Sequence, residues 1–267
     1  MVAILRYPHK RQALSPLICR SEALVMRHID YGEADRIVTL LTPDFGMLKG
    51  FARAARKSRK RFGVCLEPFS RITIQWRAGR NNLISLQDAE MIDARSSIRS
   101  DLRAFALACY GVELAEMLLQ EGEPHPEIYQ LLQAYLDFLT GDADYSVARL
   151  LFELRLIKQL GYIPHLLHCS ECFTNFSSGQ AAFDVERGGS LCLGCAGERV
   201  RVTVDVGTLG SLARSLQTPI ELFSGFRFGK KTLAEGAELL DLVLRQVLPR
   251  PPKSLRFLME TADTTDP

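Results

Sequence analysis

The chain of 267 residues has no apolar run approaching the roughly 18 residues needed to cross a bilayer, which excludes a helical membrane span. Its first twenty residues, MVAILRYPHKRQALSPLICR, carry the charge of an export signal but no sustained apolar core. They read as a poorly ordered extension, not as a leader. Catalytic signatures are equally scarce: there is no H-E-x-x-H and no G-x-S-x-G. GFRFGKKT (225–232) sets three residues rather than four between its glycines, then two lysines, so it reads as a basic turn before a helix and not as a phosphate loop. HPE (125–127) has no Pro-Cys-x-x-Cys to accompany it, and deaminase chemistry needs that partner. Internal repeats and low-complexity tracts are absent too. Nothing in the sequence assembles an active site, and the expectation is a protein that is not an enzyme.

One further absence is local. No acid lies between Asp44 and Glu67, and within that gap KGFARAARKSRKRFG (49–63) holds Lys49, Arg53, Arg56, Lys57, Arg59, Lys60 and Arg61. The whole chain is nearly neutral, with 33 basic and 31 acidic residues. Residues 1–95 hold 17 Lys/Arg against 9 Asp/Glu, whereas residues 96–267 hold 16 against 22. A front half with this excess points to a polyanionic partner, nucleic acid first and an acidic membrane surface second. A solvated face is the bland alternative. It is disfavoured because seven crowded like charges repel unless a polyanion compensates. Phe45, Phe51, Phe62, Phe69 and Trp76 lie nearby. Cations with stacking aromatics bind single strands without sequence preference, although most of these rings also suit a barrel core.

The texture of the chain changes once. EALVMRHI, RIVTLLT, MLKGFA, RITIQWR and LISLQDAEMI are short apolar or alternating runs separated by turn residues. Five strands in about 70 residues predict a small barrel with the strand count of the OB-fold. After Arg95, apolar residues recur at helical spacing over 100–119, 125–140, 145–161, 204–217 and 231–248. Ser100 is the expected N-cap of the first helix, and Pro126 and Gly161 sit near helix ends. The reading is α+β. An extension (1–20) precedes a five-stranded OB-fold barrel (21–95). An all-α helical domain (96–258) carries an insert at 166–200, and a disordered tail (259–267) follows.

The insert contains CSEC (169–172) and CLGC (192–195), a C-x2-C-x19-C-x2-C pattern. Each two-residue gap lets both thiolates of a knuckle reach one ion, and two knuckles complete a tetrahedron. Between them the chain reads as a hairpin turning at Gly188-Gly189. Cys169, Cys172, Cys192 and Cys195 are therefore the expected ligands of one structural Zn2+, with no coordination position left open for catalysis. Redox-active pairs and unliganded cysteines are the alternatives. His165 and His168 flank the first knuckle and read as packing or surface residues, and Cys19, Cys65 and Cys109 as plain thiols. An odd count of seven cysteines, four of them clustered, suits a reducing cytoplasm better than a disulfide framework.

Several stretches carry a family resemblance. DYGEADRIVTLLTPDFGMLKGFARAARKSRKRFG followed by LEPFSRITIQW resembles the amino-terminal domain of the RecO family of bacterial DNA repair and recombination mediators. LFELRLIKQLGYIP, the four-cysteine insert and RPPKSLRFL (250–258) are similar to later parts of the same family. The resemblance covers about residues 20–258 in order; one departure is the extension before residue 20, which the family pattern lacks. It implies binding of single- and double-stranded DNA, and annealing of complementary strands without ATP. It implies partnership with RecR and with the acidic tail of the single-stranded-DNA-binding protein, to load the RecA recombinase. A nucleoid-associated, cytoplasmic location goes with it. The family's basic segment falls on Lys49, Arg53, Arg56, Lys57, Arg59, Lys60 and Arg61, and its zinc ligands on the four clustered cysteines. The resemblance alone implies that the helical domain, net acidic but with local basic sites such as Arg149, Arg155 and Lys158, docks this tail in an apolar groove; it does not place the residues that bind it. A zinc-dependent enzyme acting on nucleic acid and a zinc-finger transcription regulator are the rival classes.

Overall fold

The computed structural model describes residues 18–58, 60–79, 82–197 and 202–263. Most of the expected extension, Arg59 and the last four residues lie outside them.

Five strands close into a barrel: β1 (Cys19–Tyr31), β2 (Asp35–Thr42), β3 (Gly46–Ala52), β4 (Arg71–Arg77) and β5 (Ile84–Asp93). Their order is β1-β2-β3-β5-β4, and β4 returns to pair with β1. Every pairing is antiparallel except β3 with β5, a short parallel seam of two residue pairs, Gly50↔Ile84 and Phe51↔Ser85. Alternation decides what fills the barrel. In β4, Ile72, Ile74 and Trp76 point inward and their neighbours do not. Val25, Val38, Leu40, Leu48 and Leu86 complete that core. Gly50 sits at the seam because a Cβ there would come within 2.9 Å of the Leu86 side chain.

The outward face of β1–β2–β3 is divided in two. At one end Leu24, Leu41 and Met47 form a row across the strands. They are buried because the helical domain packs over them, and they belong to its core rather than to the barrel's. This explains why β1 reads ALVM without alternation: Ala23 and Val25 face the barrel, Leu24 and Met26 the helices. One row further along, Arg27 makes a bidentate pair with Glu116 (2.7 and 2.9 Å), and Lys49 pairs with Glu121. Beyond that row none of the described elements covers the face.

The helical domain comprises α1 (Ser96–Ser100), α2 (Leu102–Leu118), α3 (Pro126–Leu139) and α4 (Tyr145–Gln159) before the insert. Within and after it come β6 (Gln180–Asp184), β7 (Gly189–Leu191), α5 (Leu193–Ala196), β8 (Val202–Asp205), α6 (Val206–Ser215), α7 (Lys230–Val247) and α8 (Lys253–Asp263). The N-cap of α2 is Asp101, whose carboxylate accepts from the Ala104 N–H at 2.8 Å, and not Ser100. Ser100 is occupied by α1, where its hydroxyl donates to the Ser97 carbonyl. In the core, Tyr135 stacks on Phe152 at 4.3 Å, and Gly111 lets α2 approach them, since a Cβ there would lie 2.6 Å from the Tyr135 ring. The chain from 259 was expected to be a disordered tail, yet α8 continues to Asp263. Arg256 pairs with Glu260 one turn on, Leu258 is buried, and Glu113 of α2 accepts from the Lys253 and Ser254 N–H groups at the helix start.

Barrel and helices are joined through one buried cation. Arg95 adopts a left-handed backbone (φ 42°) that turns the chain from β5 into α1. Its guanidinium donates to the Phe69 carbonyl (3.0 Å), to Asp137 (2.7 Å) and to Gln133 of α3. Truncating it would leave the Phe69 carbonyl and the Gln133 amide oxygen without these donors at the junction, where buried polar groups need partners. Among the described residues, no helix is long and apolar enough to cross a membrane.

Candidate nucleic-acid interface and metal centre

Among the described residues of the segment, 53–58 and 60–67 do not form a strand. They run from β3 towards β4 as consecutive turns held by main-chain bonds such as Lys57 N–H to Ala54 O (3.1 Å) and Gly63 N–H to Ser58 O (3.1 Å). Three apolar residues, Ala55, Phe62 and Leu66, plug the barrel core. The segment is also tied to the barrel at both sides: Arg56 N–H bonds Ala34 O in the β1–β2 turn, and Ala89 N–H of β5 bonds Arg61 O, both at 3.0 Å. The apolar positions thus fix the loop, and Arg53, Arg56, Lys57 and Lys60 are turned to solvent.

The seven expected cations are not equivalent. Arg53, Lys57 and Lys60 are exposed and, among the described residues, have no acidic partner. Arg56 is exposed but lies 3.6 Å from Asp30 and donates to the Glu33 carbonyl. Arg61 donates to the Arg53 carbonyl at 2.8 Å and lies over the Phe62 ring. Lys49 is engaged by Glu121, and Arg59 is outside the described residues. Exposed ion pairs such as those of Lys49 and Arg56 are worth about 0–1 kcal/mol, so a polyanion can displace the acid.

Of the five aromatics singled out, Phe62, Phe69 and Trp76 are buried and unavailable for stacking. Phe45 packs edge-on against Trp76 at 4.9 Å. Phe51 alone lies on the outer face that none of the described elements covers, beside Tyr31, a residue that the sequence reading passed over. Their rings meet edge to face at 5.9 Å, and Tyr31 is 57% exposed.

The helical-domain cations differ from expectation. Arg155 is 2% exposed and donates to Ile220 O and Thr218 Oγ1, with Phe223 and Phe226 against its guanidinium. Burial lowers its pKa to about 10. It cannot present charge to a peptide from this position. Arg149 is bound to the buried Glu153 (2.8 Å), and Lys158 donates to the Leu216 carbonyl (2.6 Å).

In the insert, β6 and β7 pair as the expected hairpin, and β8 adds a third strand in the order β7-β6-β8. Gly188 and Gly189 both have positive φ, and a Cβ on Gly189 would lie 2.7 Å from His165 backbone atoms. The fold brings Cys169, Cys172, Cys192 and Cys195 together with all four sulfurs within 4.8 Å of one another. Four thiolates on one ion at about 2.3 Å would stand about 3.8 Å apart, so the set fits a tetrahedral metal. His165 and His168 pack their rings against each other at 4.6 Å and are not part of the group.

The electrostatics fit a cation as well. Burial opposes ionisation of Cys169, but main-chain N–H groups of Cys172, Cys192 and Glu171 outweigh it and hold the pKa down to about 6. Contacts with Cys192 and Cys172 push Cys195 up to about 12, because crowded thiolates repel without a positive charge between them. The cluster's own core is small, with Cys169, Ala182, Leu191 and Ala196. On the other face of the same sheet, Ala181, Phe183 and Val204 join the helical core.

Comparison with known proteins covers both domains. The family model "Recombination protein O N terminal" matches residues 17–95, and "Recombination protein O C terminal" matches residues 99–256. The DNA repair protein RecO of Syntrophotalea carbinolica is 50% identical over 247 residues, covering 92% of this chain and 95% of the relative. The DNA repair protein RecO of Geobacter sulfurreducens is 37% identical over 241 residues (90% and 97%), and that of Anaeromyxobacter sp. strain K 36% identical over 240 residues (89% and 94%).

Proposed function

The chain belongs to the RecO family, and from that premise we propose that it is a recombination mediator in DNA repair. It binds single- and double-stranded DNA, anneals complementary strands without ATP, and helps load the RecA recombinase onto DNA coated by single-stranded-DNA-binding protein. RecR and the acidic tail of that coating protein are its partners, and it works in the cytoplasm at the nucleoid without catalysing a reaction.

One observation carries this reading. Arg53, Lys57 and Lys60 stand exposed and, among the described residues, without an acidic partner, on a loop whose backbone is fixed against the barrel. Phosphates replace the missing counter-charge, and release of their own counterions drives binding. Lys49, Arg56, Arg59 and Arg61 complete the cationic segment. Because two strands repel each other, a surface that neutralises both lowers that cost and raises their local concentration. The four cysteines hold one structural Zn2+. Thiolates suit that ion, and four of them leave no position for substrate.

Contacts to phosphate carry no sequence information. Affinities for single-stranded oligonucleotides of unrelated sequence and equal length, measured by fluorescence anisotropy, are expected to agree within about threefold. A preference of 100-fold or more for one duplex sequence would favour a transcription regulator and reject the mediator.

A further inference from the structure

We propose that Glu121 is a built-in competitor for nucleic-acid phosphate: its carboxylate occupies Lys49 in the free protein, and a strand has to displace it to reach that cation. This rests on the DNA-binding reading above and adds to it a contact by which the helical domain sets the barrel's affinity.

On β3, the outward residues Met47 and Lys49 alternate with Leu48 and Gly50, which face the barrel interior. The helical domain treats the outward two differently. Met47 is buried beneath it. Lys49 stands at the rim of the covered area, where Glu121 of the α2–α3 connection engages its ammonium. Backbone contacts hold that connection in place. The Gly122 N–H donates to the Met47 carbonyl at 2.9 Å, so Met47 and Glu121 form a parallel bridge. Gly46 has no room for a side chain, because a Cβ there would lie 2.1 Å from the Glu123 carbonyl oxygen. The Glu121 side chain, by contrast, is 45% exposed and can swing away while its main chain stays.

The neighbouring pair is built differently. Arg27 lies opposite Thr39, which lies opposite Lys49. Its Nε and Nη2 donate to both oxygens of Glu116 at 2.7–2.9 Å. That carboxylate is only 22% exposed, and a bidentate guanidinium pair is the strong kind. It fastens α2 to β1. Glu121 instead makes a single contact to an ammonium on a flexible stem, at a site where ion pairs are weak.

Position decides which anion replaces it. Lys49 begins the cationic segment, and Arg53 follows it by about 13 Å of extended chain. A strand whose phosphates lie on Arg53, Lys57 and Lys60 passes the Lys49–Glu121 pair. Carboxylate and phosphate oxygens offer an ammonium the same charge-assisted bond. The carboxylate, being tethered, competes at a high effective concentration. The barrel's affinity is thereby held below the value its cations alone would give, which favours release of the annealed duplex.

Anisotropy titrations of the full chain with a dT oligonucleotide and with a duplex make the measurement. Glu121→Gln is expected to tighten both about threefold, the scale of one exposed ion pair, with a nearly unchanged melting temperature. In a Lys49→Gln background the same substitution should gain nothing, since the cation it frees is gone. Glu238→Gln, at an exposed position on α7, removes the same charge and should stay within about 1.5-fold of wild type, because salt screens remote charges. The proposal fails if Glu121→Gln binds like wild type, if its gain survives Lys49→Gln, or if Glu238→Gln gains as much; in each case DNA binding by the loop stands. A wild-type protein that binds neither probe would overturn the DNA-binding reading, and this one with it.

Discussion

Replacing Arg53, Lys57 and Lys60 together with glutamate is expected to weaken binding to single- and double-stranded DNA by at least about 100-fold at moderate salt. Three charges are reversed and not merely removed, so attraction to phosphate gives way to repulsion. The slope of log affinity against log salt should flatten by about 2 for a single strand, at about 0.7 for each lost contact. The fold should tolerate the change. These side chains have no acidic partner among the described residues, and the segment is held by Ala55, Phe62, Leu66 and its main-chain bonds. Anisotropy titrations between 50 and 200 mM salt, with a melting curve as control, make the measurement. Unchanged affinity in a folded variant would mean that the loop is a solvated face.

Removing the metal should have the largest effect on stability. Chelation or Cys169→Ser is expected to unfold the insert while barrel and helical core persist. The cysteine side of the small sheet buries only four residues, too few to offset the entropy of ordering about 30. Metal binding contributes the difference, of order 10 kcal/mol for comparable small zinc modules. Without the ion the crowded sulfurs oppose one another, and contacts with Cys192 and Cys172 push the Cys195 thiol up. Limited proteolysis should cut the metal-free protein between residues 166 and 200, and metal analysis of the intact protein should give one zinc per chain. An insert equally resistant in both states would show that the cysteines do not carry its fold.

How much of this was legible follows from the range of the forces involved. β4 could be read from RITIQWR because alternation is a local record of which face is buried. The cysteine knuckles were legible because metal geometry restricts spacing within a few residues. Helix starts were less so: Ser100 and Asp101 are both good caps, and only the presence of α1 decides between them. The helix α8 was missed because its start is satisfied by Glu113, some 140 residues earlier in the chain.

Within the site, the sequence showed seven cations but not their partners. Glu121, which engages Lys49, is 72 residues away, and the helical domain brings it there. The same long-range packing buried Arg155 and removed it from the surface. Tyr31 was overlooked because it is the last residue of β1, next to turn residues, where nothing local sets it apart. Its place beside a free ring depends on Phe51 lying across the sheet and on the described helices stopping short of both. Local patterns therefore yielded the elements, and tertiary contacts determined which charges and rings remain free.

The central claim is that a fixed cationic face brings two strands together without consuming energy. It is tested most directly by mixing complementary oligonucleotides, each coated with single-stranded-DNA-binding protein, and following duplex formation without ATP. The account predicts that the wild-type protein accelerates annealing, leaves both strands chemically intact, and loses this activity in the triple glutamate variant. Annealing no faster than in the protein's absence, or cleaved or modified strands among the products, would contradict it.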